Sequence, residues 1–93
     1  MEKVINYMEI WVKEHMEQQL KKSDVCKCER CQRDIYALAL NNLKPYYVVT
    51  NKGGVMAKLN TMYQQFETDI TIEVEKAIEI VKKSPRHDDA KDY

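Results

Sequence analysis

Cys26-Lys27-Cys28-Glu29-Arg30-Cys31 holds all three cysteines of the chain within six positions. Three thiols this close do not make a disulfide framework. A bridge needs Cα atoms about 4.4–6.8 Å apart with well-directed Cβ vectors, a C-x-C pair is strained, and an odd count leaves one thiol over. Three sulfurs converging on one cation is the better reading, and tetrahedral Zn²⁺ suits soft donors. Helical periodicity stops on one side of this stretch and restarts on the other, so it also divides the fold.

Upstream, Val4, Ile5, Met8, Trp11, Val12, Met16 and Leu20 recur at spacings of three and four with no Gly or Pro between them. This predicts an amphipathic helix over residues 2–22, with acids early and bases late, as its dipole favours. His15 follows Trp11 by one turn and reads as a half-buried core histidine. Downstream, a second helix is expected over 31–42, burying Ile35, Leu38, Ala39 and Leu43. It is ended by Asn41-Asn42 and by Lys44-Pro45, since the residue before proline leaves the α region.

Tyr46-Tyr47-Val48-Val49-Thr50 is aromatic and β-branched, hence extended. With no other such segment in the chain, it is expected to lie over the helices or to pair with its copy in a second subunit. Asn51-Lys52-Gly53-Gly54 is the clearest turn. Beyond it Leu59, Met62, Phe66, Ile70, Val74, Ala77 and Val81 run unbroken to Pro85. They predict one long helix, or two nearly continuous ones bent near Thr68-Asp69. Ile72, Ile78 and Ile80 widen the apolar face, so the helix has two surfaces to cover: its own domain, and a symmetric partner. The expected architecture is mainly α, a small homodimeric domain of about four helices with a zinc knuckle and one short extended segment. Residues 1–87 form the single domain and 88–93 a polar tail.

Ninety-three residues support one domain with a limited core, for which a metal staple matters. Fifteen acids balance fifteen bases, which argues against a chain built to coat nucleic acid. No apolar run is long enough for a membrane span, and clustered thiols without an export signal point to the cytoplasm.

A structural zinc takes four protein ligands. With Cys26, Cys28 and Cys31 supplying three, the fourth is drawn from His15, His87, an acid such as Asp24, or water. His87 is preferred, because it follows a helix stop on chain able to fold back, whereas the core claims His15. Nothing nearby reads as a base over an open coordination site, so catalysis is not expected. A zinc-finger DNA binder would need a second ligand pair and a basic helix, which are missing.

The cysteine motif, Asp34-Ile35 opening Ala37-Leu38-Ala39-Leu40-Asn41, Pro45-Tyr46-Tyr47, and Ser84-Pro85-Arg86-His87 together resemble the late competence development protein ComFB family. The resemblance runs from the cysteines to His87. It implies a small helical homodimer with a zinc site, found in bacterial cytoplasm, and a link to cyclic dinucleotide signalling. Some members carry a fourth cysteine after the Pro-Arg pair, where this sequence offers His87.

A receptor for cyclic di-GMP or cyclic di-AMP needs cations or helix N-termini for phosphates and planar groups for bases. Arg33, Asp34, Lys44, Tyr46, Tyr47 and Arg86 supply those types beside the resembling segments. Each taken singly is equally at home as surface, dipole or packing residue. The rival classes are a protein–protein adaptor with a purely structural zinc, and a redox switch in which thiolate oxidation releases the metal.

Overall fold

The computed structural model describes residues 3–49 and 55–84. The turn at Asn51–Gly54, the stop at Pro85, Arg86, His87 and the tail lie outside the described residues. Among the described residues the order is β1 (Val4–Asn6), α1 (Tyr7–Lys21), α2 (Glu29–Asn41), β2 (Tyr47–Val49) and α3 (Val55–Lys83). There are thus three helices, not about four, because the last one runs 29 residues without interruption through Thr68-Asp69.

Two further expectations are corrected at the amino terminus. The first helix starts at Tyr7, and Val4–Asn6 is the in-chain partner of the extended segment. The strands pair antiparallel in the register Val4↔Val49, Ile5↔Val48, Asn6↔Tyr47. The reason is Asn6. Its backbone is extended (φ −91°, ψ 100°) and its Oδ1 accepts from Met8 N–H at 3.2 Å, capping α1. The same oxygen accepts from Tyr46 N–H at 2.8 Å, and Tyr7 N–H donates to the Tyr46 carbonyl at 2.8 Å. One side chain therefore ends the strand, starts the helix and fixes the ribbon to both.

From the ribbon the chain runs down α1, turns through residues 22–28, returns along α2 and comes back to the ribbon. The third helix descends beside α1, as a ladder of contacts shows. Trp11 lies 5.8 Å from Tyr63 between ring centroids, and His15 Nε2 is hydrogen-bonded to Tyr63 Oη at 2.6 Å. Gln19 Nε2 donates to the Thr71 carbonyl, and Lys82 pairs with Asp24. The ribbon thus closes one end of the bundle and the cysteine loop the other.

The periodic residues form the core: Met8, Trp11, Val12, Met16 and Leu20 from α1, Ile35 and Ala39 from α2, and Leu59, Ile70, Val74, Ala77, Ile78 and Val81 from α3 are all buried. At about 1.5–3 kcal/mol for each large apolar side chain fully buried, this set is the main source of stability. Leu38 and Leu43 pack against it half-buried. Ile72 and Ile80 remain exposed.

Candidate metal centre

The second helix begins two residues earlier than periodicity suggests because Cys28 caps it. Its backbone is extended (φ −66°, ψ 162°) and its Sγ accepts from Cys31 N–H at 3.4 Å. A helix N-terminus stabilises negative charge, so a thiolate there is favoured. The bond from Cys31 N–H, foremost, holds the Cys28 thiol below its ordinary value. Cys31 enters the helix one turn on and is fully buried, and burial pushes its thiol up to about 12. Cys26 is exposed on the loop. Beside it Val25, an apolar residue in a polar stretch, turns into the core and fastens the loop down.

The three sulfurs all lie within 4.8 Å of one another. Sulfurs bound about 2.3 Å from a tetrahedral ion sit about 3.8 Å apart, so small side-chain adjustments close this set on a metal. The high value at Cys31 is what a buried thiol shows without a cation, and a coordinated dication reverses that cost. The three cysteines could therefore hold a soft divalent metal ion.

Among the described residues no further His, Cys, Asp or Glu joins the group. His15 lies on α1, where Tyr63 holds its Nε2 and Gln19 and Thr71 approach its Nδ1. The Asp24 carboxylate is paired with Lys82 Nζ at 2.8 Å. Two of the named fourth ligands are thus engaged elsewhere, and His87 lies outside the described residues. The Asp24–Lys82 pair was not foreseen; it ties the cysteine loop to the last turn of α3, the helix that leads to His87.

The described members of the candidate ligand-binding set are not together. Arg33 and Asp34 line a groove of about 670 Å³ between α2 and the end of α3, with Ala37, Leu38, Asn41, Ile80, Val81 and Ser84. Arg33 is exposed and pairs with Glu29 at 3.0 Å. Asp34 is only 8% exposed, and its Oδ2 has no hydrogen-bond partner among the described residues. Its burial was not legible as such, since an acid near a helix start reads equally as a dipole partner. Lys44, Tyr46 and Tyr47 lie at the far end of α2, a helix about 20 Å long at 1.5 Å per residue. Tyr46 stacks on Trp11 at 5.7 Å and packs on Phe66, while Tyr47 is exposed on β2. Arg86 lies outside the described residues.

A three-helix domain closed at one end by a short ribbon and at the other by a three-thiol knuckle defines a small helical class of metal-competent proteins. The chain belongs to the late competence development protein ComFB family, whose family model matches residues 5–85. It is similar to competence protein ComFB of Bacillus subtilis (strain 168), 29% identical over 83 residues, which are 88% of this chain and 85% of that protein. The solved structure of the late competence protein ComFB from Bacillus subtilis matches with a TM-score of 0.72 at 28% identity. That match covers 89% of this chain and 92% of the other. No helix among the described residues is long and apolar enough to cross a membrane.

Proposed function

We propose that this chain is a non-enzymatic competence-associated regulatory protein, a cytoplasmic homodimer stabilised by zinc, that receives a cyclic dinucleotide in the groove between α2 and α3. The metal reading is supported by three convergent sulfurs, two of them set by the first turn of one helix. His87, four residues beyond the end of α3, completes a Cys3His set.

The observation that carries the ligand reading is Asp34. A buried carboxylate oxygen without a partner is costly, and the residue that carries it lines a groove that also holds a guanidinium and apolar walls. Guanine offers two adjacent N–H donors on its Watson–Crick edge, which suit a carboxylate. Leu38 and Ile80 suit a purine face, and Arg33 a phosphate. Exposed Ile72 on α3, outside the groove, supports a symmetric partner that covers it.

A second reading, an adaptor with a purely structural zinc, is favoured by the ribbon's outer face. There Val4, Tyr47 and Val49 are 65%, 64% and 44% exposed. Calorimetric titration with cyclic di-GMP and cyclic di-AMP separates the two, with Asp34→Ala as control. Heat that is lost in the variant supports the receptor; no heat at high ligand concentration ends it and leaves the adaptor. Zinc analysis of the purified protein beside His87→Ala tests the metal set, and sedimentation tests the dimer.

A further inference from the structure

Cys28 and Cys31 differ in one respect that a purely structural metal site does not use. Cys28 is half-exposed at the N-cap, while Cys31 is fully buried one turn below it. The contact between Cys31 N–H and Cys28 Sγ holds the pair together independently of any metal. Residues three apart at a helix start have Cα atoms about 5–5.5 Å apart, inside the disulfide range of about 4.4–6.8 Å. Their sulfurs lie within the 4.8 Å cluster. Cys26 stands two residues upstream on the loop, where a bridge to Cys28 is strained.

We infer that this cluster is a peroxide-sensitive modification site, in which Cys28 is oxidised first and Cys31 resolves it as an intramolecular Cys28–Cys31 disulfide. Hydrogen peroxide is the oxidant. Attack by the Cys28 sulfur breaks the O–O bond and forms an S–O bond, giving a sulfenic acid and one water. The Cys31 sulfur then attacks the sulfenic sulfur, the S–S bond forms, and the oxygen leaves as a second water. Two electrons pass from the sulfurs to the peroxide, and any bound Zn²⁺ leaves unchanged in charge. Cys28 caps α2 and Cys31 lies in its first turn, so the bond forms without moving the helix. What changes is the loop at Cys26 and any ligand beyond α3, which lose their common ion. Release of zinc rests on the zinc reading above; the disulfide does not.

The sequence makes the product readable. Trypsin cuts after Lys22, Lys27, Arg30 and Arg33, leaving each cysteine on its own peptide. Full-length protein, zinc-loaded and chelator-stripped, is treated with hydrogen peroxide, alkylated and digested without reductant. The expected product is Cys28-Glu29-Arg30 linked to Cys31-Gln32-Arg33, at monomer mass, with a loss of about 2 Da and reversal by dithiothreitol. In the loaded sample a chromogenic indicator detects zinc release in step with the linked peptide. Cys26→Ser keeps the linkage, and Cys31→Ser abolishes it and leaves a sulfenic acid on Cys28 that dimedone traps. Linkage through Cys26, dimers cross-linked between chains, or direct passage to sulfinic acid overturns the inference. Zinc-loaded protein that resists peroxide also overturns it and leaves the zinc reading intact. Protein that never binds zinc yet forms this disulfide overturns only the zinc reading.

Discussion

Asn6 joins three elements through one side-chain oxygen. Its Oδ1 accepts from a backbone N–H in the first turn of α1 and from another 40 residues on in the chain. Replacing it by alanine leaves both donors to find other partners. Asn6→Ala is expected to cost about 1–2 kcal/mol, read by chemical denaturation, and an unchanged midpoint would contradict the capping role. Asp24 and Lys82 act at the other end. The hydrogen bond from Lys82, and then its charge, hold the Asp24 carboxyl below its ordinary value of 3.8. The contribution is therefore present above about pH 4 and is lost as pH falls through the folded-state value. Lys82 is raised above 10.5 by the same bond, so its share is present below that pH and lost as pH rises beyond it. Asp24→Asn should flatten both limbs of the stability–pH profile. The pair is solvated, so the change is small. A variant profile that overlays the parent's would show the pair to be inert.

At the scale of elements, the helices were legible because their periodicity is long; of the ribbon the aromatic and β-branched strand β2 was legible, and the short β1 was not. Val4 and Ile5 fall in phase with Met8 and Trp11, so a helical pattern extends through them. What overrides it is Asn6, whose partner Tyr46 lies outside any local window. Asn41-Asn42 ended the second helix as read, with Asn42 N–H donating to the Ala39 carbonyl and Leu43 N–H to that of Leu40. The clustering of Cys26, Cys28 and Cys31 was legible from spacing alone, while the pairing of Asp24 with Lys82 and the burial of Asp34 depend on how α3 returns. The third helix offers a control within one residue type. Ile70 is fully buried and Ile72 is 45% exposed. Ile70→Ala should cost about 2–5 kcal/mol, whereas Ile72→Ala should stay within about 0.5 kcal/mol in a monomer. Equal losses at low protein concentration would mean that the packing of α3 is misassigned.

For the whole molecule, two closures end the bundle: the ribbon with its hydrogen bonds, and the cysteine loop with Val25 and the Asp24–Lys82 pair. A metal that binds only the folded state at 100 times its dissociation constant adds about 2.7 kcal/mol. In a domain of this size that corresponds to roughly 10–20 °C in melting temperature. Chelation should therefore lower the thermal midpoint by that order, with recovery on adding zinc, and calorimetry that shows no shift would remove the stabilising role. Much of the helical signal should persist after chelation, since the apolar core lies along the helices and not at the knuckle.

Trp11 is the chain's sole tryptophan. It is buried against Tyr7, Tyr46, Tyr63 and Phe66, where α1, the ribbon and α3 meet. The end of α1 that leads to the cysteines is about 15 Å away at 1.5 Å per residue. The molecule thus carries its own optical gauge, placed at the end opposite the thiols. Its emission should redden when the bundle opens and hold its colour when only the thiol end changes state. A shift in that light therefore separates loss of the fold from an event confined to the sulfur cluster.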